Sequence, residues 1–151
     1  MGLLRLVLLL ALGAAAACTP ASAAAAPVVD DHVTLVRSGF PMPLAADAPV
    51  SVSRELVVRV TVVNVPGTPF ARELRLHLEN AGSPLAGATI ASVADMRFMT
   101  HGPVEGATRE TSTGSYAIAL PIYMAGQWKT NVDIRSATAN GSLELEIDVF
   151  E

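Results

Sequence analysis

The sequence predicts an all-β fold, an immunoglobulin-like antiparallel β-sandwich of about seven strands preceded by a signal peptide. Three observations carry that prediction. Apolar and polar residues alternate through four separate segments, as with Leu74, Leu76 and Leu78 against Glu73, Arg75, His77 and Glu79. A period of two marks a strand with one buried face. Turn clusters such as Pro66-Gly67-Thr68-Pro69, Asn80-Ala81-Gly82-Ser83-Pro84 and Asn140-Gly141 separate the segments, and no amphipathic helix intervenes. The single tryptophan, Trp128, falls on an inward parity, which suits a core residue between two packed sheets. An open barrel is the alternative.

The chain opens on an export signal. Met1 to Arg5 forms a short n-region with one positive charge, and Leu6 to Ala17 is apolar. That run is shorter than the roughly 20 residues of a spanning helix and suits a signal h-region. Two processing sites compete. Ala21-Ser22-Ala23 has the form of an ordinary signal peptidase site, whereas Ala15-Ala16-Ala17-Cys18 resembles a bacterial lipobox, with Ala15 where Leu is usual. Both put the mature protein outside the cytoplasm, periplasmic or in the cell envelope. The second makes Cys18 the lipid attachment site of a lipoprotein. Residues 1–17 are therefore read as signal peptide, 18–27 as an Ala-rich tether and 28–151 as one β-sandwich domain.

Within the domain, Val33 to Val36 reads as a short first strand. Gly39 to Pro49 reads as a loop, because Pro41, Pro43 and Pro49 remove ladder donors. In Glu55 to Asn64, Leu56, Val58, Val60 and Val62 share a face, and Ala71 to Asn80 alternates likewise. Ala86 to Ala94 is a further strand, Gly102 to Gly106 a loop, and Thr108 to Thr111 a short strand. Tyr116, Ile118, Leu120 and Ile122 share one face. After a bend at Gly126, Trp128, Val132 and Ile134 share another, opposed by Lys129, Asn131, Asp133 and Arg135. Last, Leu143, Leu145, Ile147 and Val149 alternate with Glu144, Glu146 and Asp148. The expected core is Val58, Val60, Leu76, Ile118, Leu120, Trp128, Val132 and Leu145.

Cys18 is the only cysteine, so the domain has no disulfide although its compartment would allow one. Burial must hold it together, and about 120 residues suffice for a real core. Loss of Arg5 with the leader leaves nine basic against fourteen acidic residues, a formal charge of −5. With no basic cluster, the chain is not expected to bind nucleic acid, and membrane contact is expected only through the lipid anchor.

No G-x-S-x-G elbow, HExxH or CxxC is present, and no motif aligns a Ser with a His and an acid. The chain is not expected to be an enzyme. Asp95 and Glu105 stand ten residues apart, a spacing that defines no acid–base pair. Of the three histidines, His77 sits on a polar parity, which predicts solvent exposure, and His32 stands beside Asp30 and Asp31 near the domain's start. Met96-Arg97-Phe98-Met99-Thr100-His101 is different in kind. Thioethers are soft ligands that select Cu(I), and imidazole suits copper as well. On a straight strand Met99 and His101 would share one face, and Met96 and Phe98 the other. They converge only if the chain turns near Phe98 to Gly102, where Gly102-Pro103 favours a bend. Met124 would be a further thioether. The competing expectation is that these methionines fill gaps in the core.

Pro84 and Gly87, then Met96, Met99 and His101, then Gly114 and Tyr116, then Met124, Gly126 and Trp128 together resemble the YtkA-like domain, which is related to FixH-type periplasmic modules. The resemblance covers the last third to half of the chain. It implies a small immunoglobulin-like β-sandwich, and some members of that family occur with copper-handling systems or oxidase assembly. Arg97-Phe98 departs from the family's small residues or Pro, which bears on the shape of the corner. The leading expectation is an exported, non-catalytic carrier or accessory that holds copper, as Cu(I), at Met96, Met99, His101 and Met124. The rival is a metal-free interaction module with a protein partner in an envelope complex.

Overall fold

A computed structural model describes residues 28–150 apart from Asp31 and Thr100. The signal peptide, Cys18 and the tether lie outside the described residues. Twelve strand segments follow one another: β1 (Val33–Arg37), β2 (Phe40–Pro43), β3 (Pro49–Ser51), β4 (Leu56–Asn64), β5 (Arg72–Asn80), β6 (Ser83–Pro84), β7 (Thr89–Met96), β8 (Val104–Glu105), β9 (Ala107–Ser112), β10 (Ser115–Leu120), β11 (Gly126–Arg135) and β12 (Asn140–Val149). They make two sheets. The first runs β2-β1-β12-β11-β7-β8, and the second runs β3-β4-β5-β10-β9 with β6 on β5. Every pairing is antiparallel.

The alternation explains the packing. All eight expected core residues are at most 2% exposed, and Trp128 is fully enclosed. Leu76 and Leu74 of β5 sit beside Tyr116 and Ile118 of β10 on the inner face of the second sheet, within one core that draws on both sheets. Burying side chains of this size is worth about 1.5–3 kcal/mol each, which a domain without a disulfide needs.

Two expectations are corrected. Gly39 to Pro49 is not a single loop, since β2 and the first residue of β3 lie within it. The Leu44 amide donates to the Val33 carbonyl at 3.0 Å, so the even-numbered amides of this stretch face β1. Pro41 and Pro43 then fall where an edge strand's amides would point away from the sheet, and proline costs no ladder bond there. The strand segments number twelve and not about seven, because β2 and β3 fall where no strand was expected and β6 and β8 are two-residue pieces too short to show a period. β10 and β11 lie in different sheets. The 121–125 segment carries the chain from the second sheet to the first, so their apolar faces oppose across the core.

The N-terminal segment also crosses between sheets. Val29 bridges Val63 in β4, and from Val33 onward the chain pairs with β12. Asp30 and Arg72 fix the crossing. Arg72 Nε donates to Asp30 Oδ2 at 2.7 Å, and Arg72 Nη1 donates to the carbonyls of Pro69, Phe70 and Ala71 at 2.9–3.2 Å. Both residues are buried. This pair is the means by which a buried guanidinium is satisfied.

Candidate functional site

The Met/His corner forms because β7 ends at Met96 and the backbone bends through Arg97, Phe98 and Met99. Gly102 follows at φ 84°, a conformation glycine adopts freely. The turn that convergence requires is therefore present. Arg97 fastens the corner to the first sheet. Its amide donates to the Gln127 carbonyl at 3.0 Å, its Nη1 bonds Glu146 Oε1 at 2.5 Å, and its guanidinium covers the Phe98 ring at 5.5 Å.

Met96 is half-buried and packs on the core. It sits opposite Trp128 of β11, with its methyl over Gly126. Gly126 has φ 141°, so a side chain there would be both strained and crowded. Met99, at 52% exposure, lines an open depression with Met96, Arg97, Phe98 and Gly102. His101 is exposed and does not line that depression. Its ring meets Tyr123 edge-on at 6.5 Å, and Tyr123 meets Trp128 at 5.6 Å. Met124 is half-buried beside them, and its carbonyl accepts the Trp128 indole N–H at 3.2 Å.

The four residues named from sequence lie at one end of the sandwich and divide into two groups. Met96 and Met99 share a depression, while His101 meets the Tyr123 ring and the Met124 side chain packs on the core. Sequence reasoning missed Tyr123, the ring between imidazole and indole, although it directly precedes Met124. Among the described residues no group of three or more His, Cys, Asp or Glu could hold a metal. The donor set at this end is thioether and imidazole, which fits a soft ion such as Cu(I) and not a hard one.

A second concavity lies on the outer face of the second sheet, lined by Arg59, Glu73, Arg75, His77 and Arg109. Its charges answer one another. Glu73 accepts from Arg75 and Arg109 at 3.0 Å each. Burial works against the Glu73 carboxylate, but those two hydrogen bonds and the guanidinium charges outweigh it and hold the pKa below the ordinary 4.5. Contrary to the expectation of simple exposure, His77 is half-buried, with Nδ1 3.1 Å from Ser115 Oγ and Nε2 3.5 Å from Glu79. This face is a cross-strand charge ladder, and the Met/His end has the more distinctive chemistry.

The fold and this end define a small all-antiparallel β-sandwich with soft donors at one end. Among solved structures it is similar to the crystal structure of a DUF4426 family protein from Pseudomonas aeruginosa PAO1. The TM-score is 0.51 at 18% identity, over 68% of this chain and 100% of that one. A structure of FetP from uropathogenic E. coli strain F11 aligns with a TM-score of 0.42 at 14% identity, over 68% of this chain and 93% of that one. No protein-family model matches the chain, and no curated protein matches it. The likeness found is one of fold, and the YtkA-like resemblance rests on its short motifs.

Proposed function

We propose that this chain is an exported, non-catalytic β-sandwich of the YtkA-like kind that handles copper, taking one Cu(I) through Met99 and His101 with help from Met96 or Met124. One observation supports the reading above others. Four soft or borderline donors, Met96, Met99, His101 and Met124, lie at a single end of the sandwich, and two of them, Met99 and His101, are open to solvent. The half-buried pair, Met96 and Met124, is held by the core, so the exposed pair is the side from which an ion enters. Thioethers suit an oxidising compartment because, unlike thiolates, they form no disulfide.

The test is a Cu(I) competition titration of wild type against Met99→Ile and His101→Ala. Loss of stoichiometric binding in both variants supports the site. Equal binding by all three proteins refutes it and favours the second reading, a metal-free interaction module in a cell-envelope complex. That reading has its own support in Phe98 and Tyr123, 78% and 49% exposed at the same end.

A further inference from the structure

Six of the nine large hydrophobic side chains exposed among the described residues are Val28, Val29, Phe98, Met99, Tyr123 and Phe150. The strand registers put all six at one end of the molecule. Val33, Ile147, Trp128 and Met96 form one row across the first sheet. Phe98, Met99 and Phe150 lie just beyond that row on their own chains, and Val28 and Val29 precede it. In the second sheet, β4 and β10 both finish opposite Arg72, at Asn64 and Leu120, and Tyr123 follows Leu120 by three residues. Val28, Val29 and Phe150 share one depression with His32 and Arg72, and the His32 and Phe150 rings meet edge-on at 5.1 Å.

We infer that this end of the sandwich docks on a lipid bilayer, its apolar side chains entering the interface. An apolar concentration of this kind on an otherwise polar surface marks an interaction site. The chain itself indicates which partner. The described residues begin at Val28, at this end, and Cys18 lies ten residues upstream. Ten residues extend to about 35 Å at most, so an anchor at Cys18 attaches the domain to the bilayer by this end. The ionic groups here offer no basic excess. Arg72 is paired with Asp30, Arg97 with Glu146, and Asp95 and Asp148 stand nearby. Contact is therefore apolar and not an attraction to anionic headgroups. It goes beyond the anchor alone, and it would present the Met/His corner at the membrane surface.

The inference rests on export and on an anchor at Cys18, so the test is made without the lipid. The mature chain from residue 18, carrying Cys18→Ser, is sedimented with vesicles of phosphatidylethanolamine and phosphatidylglycerol. The wild-type surface should partition onto them, little affected by added salt. The double variant Phe98→Ser, Phe150→Ser should lower the partition coefficient about tenfold. Phe40→Ser should leave it unchanged, because Phe40 pairs with Arg37, four residues along β1 from the apolar row. Both altered side chains are exposed, so thermal unfolding should not move; Val28→Ser with Phe98→Ser replaces the pair if it does. Absence of vesicle binding, an equal loss with Phe40→Ser, or a concentration-dependent dimer that the double variant abolishes would each overturn the proposal. The last would assign this end to a second copy of the chain.

Discussion

The hydroxyl of Tyr116 donates to the Leu85 carbonyl and accepts from the Ala88 amide, both at 2.9 Å. It thereby ties the segment between β6 and β7 to a core strand. Burial pushes its pKa up. Because the folded chain then holds the proton more tightly, this contribution is full below the ordinary value of 10 and is lost as pH rises through the higher folded value. Tyr116→Phe strands the Ala88 amide and the Leu85 carbonyl, and chemical denaturation should show a loss of about 1–3 kcal/mol. An unchanged midpoint would mean that water replaces the hydroxyl. Glu73 behaves in the opposite sense. Its lowered pKa gives a contribution present above 4.5 and lost as pH falls through the folded value. Glu73→Gln should flatten the acid side of the stability profile, and an identical profile would dismiss the charge ladder. Trp128→Ala empties the largest fully buried side chain and should cost about 3–5 kcal/mol in the same assay.

At the scale of elements, legibility followed from whether a strand's environment is one-sided. β4, β5, β11 and β12 each bury one face, and their period of two shows directly in Leu74, Leu76 and Leu78 or in Leu143, Leu145 and Ile147. β2 was hidden because proline argues against strand only where both edges are paired. Which edge Pro41 and Pro43 present is a tertiary fact. The Met/His corner was legible through donor chemistry and Gly102-Pro103. Tyr123 was not, since an aromatic in a turn has no pattern of its own. Thr130 follows the apolar parity of β11 yet, with Ser92, lacks a hydrogen-bond partner among the described residues. Thr130→Val should therefore raise stability by about 1 kcal/mol, and a lower unfolding midpoint would show that the hydroxyl is satisfied after all. Restoring the outward amides with Pro41→Thr and Pro43→Thr should leave the fold intact but promote aggregation, read by light scattering. A double variant that stays monodisperse would remove the protective role given to these prolines.

Over the whole molecule, the Asp30–Arg72 pair closes the two sheets at the end where the chain enters. Asp30→Ala leaves a buried guanidinium unpaired and should cost about 3–5 kcal/mol; a loss below about 1 kcal/mol would show that solvent reaches Arg72. The same end carries Met96, Met99, His101 and Met124, with a rim of exposed apolar side chains. A rigid core thus supports a soft-donor corner that is partly open. The most direct test of its chemistry is X-ray absorption at the copper edge on the Cu(I)-loaded mature chain. The account predicts sulfur together with nitrogen neighbours, with sulfur diminished in Met99→Ile and nitrogen lost in His101→Ala. A copper environment without sulfur, or one that neither substitution alters, would contradict it.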